Sequence, residues 1–367
     1  MENSDEHFMR LALAEAVKAW GNTAPNPMVG AVLVKGGRVV AAGYHHRDGL
    51  AHAEIDCLQK VGFRADGCKM YVTLEPCTTR GRTGACSEAI INAGVKSVVV
   101  GCKDVNPAHA GRAARVFSER GVDCTFGVLE RECFELNFIF NKNITENTAL
   151  LAIKYAITKD GKLTHKRGET AAVSSAQSRA DAMKWRRLFQ SIGVGMGTLL
   201  ADNPRLTSRL ESGVFCPQRL VFDSSLRLAA EQNLSRFNVF SDEFSQLTRI
   251  VCDVSAPDEA EQTLRSRGIR VMRIGAPKMS AQYWTELKKR LFEERICSLY
   301  LEGGAGIFKS VCLARAADYV FEYAADKTFG AGLDAFDKPY FSIDAVECAT
   351  LGGDTFKRGY PVWIQKP

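Results

Sequence analysis

Apolar residues recur at Phe8, Leu11, Ala12, Ala16 and Ala19, a spacing that predicts a helix over Phe8–Trp20. Thr23-Ala24-Pro25-Asn26-Pro27 breaks it. Two short apolar runs, Val29–Val34 and Arg38–Gly43, flank Lys35-Gly36-Gly37 and read as a hairpin. The pattern then predicts a helix over Ala51–Val61, a strand over Lys69–Leu74 and a helix over Cys86–Ala93. Val95–Val100 is a continuous apolar run, hence a buried strand. Ala113–Arg120 reads as helix and Val122–Phe126 as strand. Strands alternating with helices imply an α/β layer with a largely buried sheet.

The character changes between Glu132 and Ala149, where Phe138–Asn147 is polar and Asn-rich after one aromatic cluster. This places a domain boundary near Asn147, giving domains 1–147 and 148–367. A fresh series follows on a second sheet: Leu150–Ile157, Ser178–Phe189, Ile192–Met196, Arg219–Phe222, Arg249–Cys252, Ile269–Ile274, Tyr283–Glu293, Ser298–Leu301 and a helix over Ile307–Ala317. No internal repeat or low-complexity tract interrupts it.

A length of 367 residues agrees with two domains. The 46% hydrophobic and 25% charged content is that of a globular protein and argues against a disordered or fibrous chain. No apolar run approaches the ~18 residues of a spanning helix. The polar, acidic start Met1–Glu6 lacks the order of a secretory signal, so the twelve cysteines read as thiols, ligands or core residues of a cytoplasmic protein. The net charge of +6 is dispersed; it permits an anionic ligand and does not demand nucleic acid.

Candidate chemistry falls in two places. His52 and Glu54 lie near the start of one predicted helix, Cys77 follows a strand, and Cys86 begins the next helix. One imidazole and two thiolates make a zinc set with a fourth position open, which is what a catalytic zinc needs to acidify a water. Glu54, two residues past His52, can reach that water without being a ligand and can shuttle protons. Both cysteines are expected at helix N-termini, where the macrodipole favours thiolate. The second place is Glu302-Gly303-Gly304-Ala305-Gly306, between a strand and a helix, where backbone N–H groups could cradle phosphate. It is not G-x-G-x-x-G, and by itself it reads more readily as an ordinary tight turn.

The order H-x-E…P-C…C is the zinc-deaminase signature. Its eight-residue gap between Cys77 and Cys86 resembles the deaminase half of the bifunctional riboflavin-biosynthesis enzymes. Pro25-Asn26-Pro27-Met28-Val29-Gly30, Gly43-Tyr44-His45, Gly81-Arg82-Thr83 and Asn106-Pro107 with Gly111 resemble the same family. So do Lys154–Lys162, Gly195–Thr207 and Val221-Phe222-Asp223-Ser224 in the second half. The resemblance implies a cytidine-deaminase-like three-layer domain followed by a dihydrofolate-reductase-like α/β domain. It implies one zinc on His52, Cys77 and Cys86, with Glu54 catalytic and Asn26, His45 and Arg82 as substrate contacts. It also implies NADPH on Ala156, Thr198, Asp202, Ser224 and Gly304-Ala305-Gly306-Ile307. Substrate positions then fall on Lys154, Thr170, Arg186, Leu206, Arg209 and Glu302, the arginines suiting a phosphate.

The sequence departs from the family's pattern at Thr79, where a His is usual, at Gly84-Ala85 in place of Pro-Pro, at Val105, and at Ala172 in place of a Trp. The implied activity is deamination of a phosphorylated diaminopyrimidine followed by reduction of its ribosyl chain. The substrate is then a small molecule, with no nucleic acid or membrane as partner and a homo-oligomer left open. The alternatives are a zinc deaminase of nucleosides or tRNA with a non-catalytic C-terminal domain, or a binding protein with a structural zinc. A tRNA enzyme needs a basic, aromatic-lined surface near His52, and no such cluster is present.

Overall fold

The computed structural model describes residues 4–79, 84–169, 171–278 and 280–364. The chain divides into two compact units, Met1–Asn147 and Thr148–Pro367.

In the first unit α1 (Asp5–Val17) precedes the hairpin β1 (Gly30–Lys35) and β2 (Arg38–Tyr44). Then come α2 (Ala53–Gln59), β3 (Lys69–Leu74), α3 (Cys86–Asn92), β4 (Ser97–Cys102), α4 (Arg112–Glu119) and β5 (Asp123–Phe126). The five strands form one sheet in the order β2-β1-β3-β4-β5. β1 runs antiparallel to both neighbours, and β3, β4 and β5 are parallel. Two glycines reveal the layers. A Cβ on Gly30 would lie 2.0 Å from Ala12 O of α1, and one on Gly43 would lie 2.4 Å from Cys57 N of α2. Gly43 pairs with Ala31, the neighbour of Gly30, so the two glycines face opposite sides of the pleat. α1 and α2 therefore cover opposite faces, and the unit has three layers.

The sequence reading assigns no element to the Asn-rich stretch. It is helical: α5 (Glu130–Leu136) and α6 (Phe138–Glu146) run almost without a break. Its asparagines are not loop residues. Asn137 clamps Met28 from both sides, its Oδ1 accepting from Met28 N–H at 2.7 Å and its Nδ2 donating to Met28 O at 2.9 Å. Asn147, at φ 52°, caps α6 in the left-handed region that Asn tolerates.

The second unit contains β6 (Leu150–Thr158), α7 (Ala176–Leu188), β7 (Ser191–Gly195), α8 (Met196–Asp202) and β8 (Gln218–Phe222). It continues through β9 (Thr248–Cys252), α9 (Asp258–Ser266), β10 (Arg270–Arg273), α10 (Ala281–Glu293), β11 (Ser298–Leu301), α11 (Ala305–Ala314) and β12 (Tyr319–Ala325). It ends in β13 (Phe341–Leu351) and β14 (Asp354–Trp363). One sheet holds nine strands in the order β10-β9-β8-β7-β11-β6-β12-β14-β13. The first seven are mutually parallel, β14 runs antiparallel to β12, and β13 runs antiparallel to β14. Parallel strands buried on both faces explain runs such as Leu150–Ile153 and Ser298–Leu301, buried at every position. The long β13–β14 hairpin has no counterpart in the sequence reading, which names no element after Ala317.

Candidate functional site

Each unit carries one site. In the first, His52 is the N-cap of α2 and makes no side-chain cap, so its ring is free to face the cysteines. Its Nδ1 lies 3.3 Å from Cys86 Sγ and 3.8 Å from Cys77 Sγ. The three ligand atoms all lie within 4.8 Å of one another. Cys86 starts α3, as its spacing suggests. Cys77 does not begin a helix; it lies in the loop after β3, and its sulfur accepts the Cys86 N–H at 3.3 Å. The expectation is thus corrected in place but not in consequence, because one helix N-terminus serves both sulfurs. The Cys86 thiol and His52 hold Cys77 down to about 4, while Cys86, hydrogen-bonded to that thiolate and buried, is pushed well up. His52, beside the thiolate, rises to about 8. Two sulfurs and a ring nitrogen crowded around one charge are a donor set suited to a soft divalent cation such as zinc.

Glu54, in the first turn of α2, is 3% exposed. Burial and the neighbouring Cys77 charge lift its carboxyl to about 7. It shares a cavity of about 170 Å³ with Asn26, His45, His52 and Cys77. His45 Nδ1 faces Ala51 O at 3.0 Å and Asn26 Nδ2 faces His45 Nε2 at 3.2 Å. A carbonyl only accepts, so Nδ1 carries the proton and Nε2 accepts from Asn26. Burial lowers the His45 pKa and favours this neutral form. Asn26 and His45 are therefore locked together at the cavity wall. Arg82 lies outside the described residues. Thr79 is exposed. Sequence reasoning assigns no part to His109 or Phe140, both of which line this cavity. Their contribution depends on contacts between distant segments and leaves no local signal.

In the second unit a cavity of about 410 Å³ opens at the carboxyl ends of the adjacent parallel strands β8, β7, β11 and β6. Crevices at that edge are where open α/β sheets bind ligands. Ala156, Thr198, Asp202, Ser224 and Gly304-Ala305-Gly306-Ile307 all line it, with Lys154 and Glu302. Gly304 is the N-cap of α11 at φ 100°, and a Cβ there would lie 2.8 Å from Thr198 Oγ1. A side chain is excluded on both counts, leaving bare backbone at the helix N-terminus. The start of α8, at Gly195 and Met196, opens on the same cavity. Two helix N-termini thus meet one cavity, a setting that favours a diphosphate.

Three of the expected substrate positions lie off this cavity wall. Arg186 is off this wall, and its guanidinium pairs with Glu302 and donates to Thr207 O at 2.9 Å. Leu206 is 1% exposed and off the wall, leaving no side chain to offer. Arg209 is exposed, also off the wall, and donates to Thr207 Oγ1 at 2.8 Å. Its neighbours Arg186 and Arg205 depress its pKa beyond the effect of burial, which marks a cationic patch. Thr170 lies outside the described residues. Ala172 presents its carbonyl to Lys327 Nζ at 2.6 Å. The structure adds Arg227 and Lys278, which sequence reasoning misses. Arg227 follows the matched Asp223-Ser224 closely, a signal that could have found it; Lys278 carries no comparable mark.

Residues 2–102 match the cytidine and deoxycytidylate deaminase zinc-binding region, and residues 149–357 match the RibD C-terminal domain. The fold and the two sites therefore define a two-domain enzyme that joins a deaminase to a reductase. The chain belongs to the RibD family of riboflavin-biosynthesis proteins. It is 35% identical over 340 residues to the riboflavin biosynthesis protein RibD of Aquifex aeolicus, covering 93% of this chain and 92% of the relative. It is 31% identical to the RibD of Escherichia coli strain K12, covering 89% of each. Among solved structures it is similar to a diaminohydroxyphosphoribosylaminopyrimidine deaminase/5-amino-6-(5-phosphoribosylamino)uracil reductase from Thermotoga maritima. That likeness has a TM-score of 0.80 and 31% identity, covering 97% of this chain and 98% of the other. No helix of the described residues is long and apolar enough to cross a membrane.

Proposed function

We propose that residues 1–147 hydrolyse the exocyclic amine of 2,5-diamino-6-(ribosylamino)-4(3H)-pyrimidinone 5′-phosphate. Residues 148–367 then reduce the ribosyl chain of the product to a ribityl chain with NADPH. The carrying observation is the His52–Cys77–Cys86 cluster with the buried Glu54 beside it. A structural zinc has no use for a buried acid at its edge.

His52, Cys77 and Cys86 would hold one zinc, their donor set and spacing fitting it. When bound, zinc supplies the Lewis acidity that brings a water's pKa towards neutrality. Glu54 would take a proton from the attacking water and deliver it to the amine nitrogen, so that a C–O bond forms, the C–N bond breaks and ammonia leaves. Asn26 and His45, which line the same cavity, orient the pyrimidine.

In the second unit the backbone at Gly304-Ala305-Gly306-Ile307 and the start of α8 would hold the cofactor's diphosphate. NADPH supplies the hydride for the ring-opened ribosyl aldehyde. Lys154 and Glu302 orient the sugar chain at the same cavity, so positioning carries most of the catalysis. The Arg209 patch stands beside Thr207, where a substrate phosphate can be met by charge.

Both halves match one family over about nine-tenths of the chain, so a tRNA or nucleoside deaminase with a passive C-terminal domain is not favoured. The test is turnover of the diaminopyrimidine phosphate with and without NADPH. Ammonia release without NADPH, and a ribityl product only with it, support the reading. Absence of either product refutes the corresponding half.

A further inference from the structure

Asn26 lines the deaminase cavity, and two acceptors address its side-chain Nδ2. One is His45 Nε2 at 3.2 Å, an acceptor because the ring keeps its proton on Nδ1, facing Ala51 O. The other is Asp48 Oδ1, also at 3.2 Å. An amide turned the other way would set its oxygen against a ring lone pair and a carboxylate, with no hydrogen at either contact. The hydrogen-bond network therefore fixes which way the amide points. Both Nδ2 hydrogens are spent, and Oδ1 is what remains. That oxygen has no hydrogen-bond partner among the described residues, and it is not shut off from solvent. Any hydrogen bond that the Asn26 side chain makes to a ligand must then be accepted by Oδ1.

The fold holds both partners in place. Residues 45–52 join the end of β2 to the start of α2. His45 N–H donates to Val29 O at 3.0 Å, and His45 Nδ1 meets Ala51 O at 3.0 Å across this connection. Between those two anchors Leu50 N–H closes a turn on Arg47 O at 3.2 Å, with Gly49 at φ 83°. A turn with positive φ at its third residue calls for Gly there, and it fixes the backbone of the second residue, Asp48. Asn26 sits on a short turn of its own, its N–H donating to Thr23 O at 2.9 Å.

We propose that Asp48 is a positioning residue of the deaminase site: with His45 it locks the Asn26 amide, so that Asn26 meets the pyrimidine as an acceptor and selects an N–H on the edge it touches. An aminopyrimidinone carries amino and ring N–H donors beside carbonyl acceptors, so a fixed acceptor tells one edge from another. An amide free to turn would accept either edge. The proposal rests on the deaminase reading given above, in which Asn26 contacts the pyrimidine. Asp48 acts through Asn26 and does not touch the reacting atoms.

The test measures KM and kcat for ammonia release from the diaminopyrimidine phosphate, with zinc content and melting temperature alongside. Losing one hydrogen bond of this kind is worth about fivefold. Asp48→Ala should raise KM by about that factor with kcat within about twofold, and Asp48→Asn, which keeps an acceptor oxygen, should raise KM less than about twofold. In an Asn26→Ala background Asp48→Ala should add nothing, because the residue acts through that amide. The polarity of the contact is read in the Asp48→Ala background. There Asn26→Asp, with oxygens and no N–H, should keep KM at least about fivefold below Asn26→Ala. Where a double variant turns over too slowly, the same comparison is made on the Kd of the unreacted substrate with Glu54→Gln added. The proposal is overturned by an unmoved KM in Asp48→Ala, by an equal rise in Asp48→Asn, by a further rise in the Asn26→Ala background, or by Asn26→Asp binding no better than Asn26→Ala. In each case ammonia release by the wild type leaves the deaminase reading standing. A wild type that releases no ammonia overturns both.

Discussion

Arg186 on α7 and Glu302 at the end of β11 meet fork to fork, Nε to Oε1 at 2.6 Å and Nη2 to Oε2 at 2.7 Å. Both side chains are nearly buried, 12% and 10% exposed. Burial alone would raise the Glu302 carboxyl, but the charges of Arg186 and Lys154 and the Arg186 hydrogen bonds outweigh it and hold it at about 2. A depressed carboxyl contributes stability that is present above its unfolded pKa of 4.5 and is lost as pH falls towards 2. The shift is worth about 3 kcal/mol at neutral pH. Glu302→Gln should therefore destabilise the second unit by about that amount at pH 7, and the gap to wild type should narrow to about half by pH 3. Urea unfolding at the two pH values reads it; a gap that does not change with pH contradicts the account.

The zinc assignment is tested by substitution and by chelation. Cys77→Ser and Cys86→Ser should each lose stoichiometric zinc by elemental analysis, because a hydroxyl is a poor replacement for thiolate. Chelation of the wild type should abolish ammonia release and leave NADPH-dependent reduction of the deaminated substrate in place. Full zinc occupancy in Cys77→Ser would sink the ligand set.

Arg227 and Lys278 line the reductase cavity. Lys278 is depressed by burial first and by Arg227 next, although Asp223 and Asp253 pull the other way. Two cations pressed together beside Ser224 would accommodate the phosphate that distinguishes NADPH from NADH. The double variant Arg227→Ala, Lys278→Ala should weaken NADPH binding at least tenfold and leave NADH binding within threefold, measured by cofactor fluorescence. Equal loss for both nucleotides would show that the pair does not read the phosphate.

What is legible in the sequence is local. The His52–Cys77–Cys86 cluster and Glu54 lie in three short segments with a fixed order, so these residues can be named from the residue pattern alone. The strands around the reductase cavity are legible because parallel strands buried on both faces leave long apolar runs, as in Leu150–Ile153. The α5–α6 helices escape the pattern because Asn141 and Asn143 look like loop residues, yet both are buried. The pairing of Arg186 with Glu302 is not legible in the sequence because the two are 116 residues apart. His109 is silent for a similar reason: a single histidine after Asn106-Pro107 means little until Glu75 folds that segment over the cavity.

The central claim is two independent chemistries in one chain, and Glu54→Gln tests it most directly. Glu54 is not among the three ligand atoms, so the variant should keep its zinc. One preparation is given two assays: ammonia release from the diaminopyrimidine phosphate, and NADPH oxidation with the deaminated ribosyl substrate. General acid–base groups contribute ~10² to 10⁴-fold, and one carboxylate serving several proton transfers belongs at the upper end. The account predicts ammonia release lowered by about 10³-fold or more, with NADPH oxidation unchanged. Deamination that survives the substitution, or a loss of both activities with zinc still bound, would contradict it.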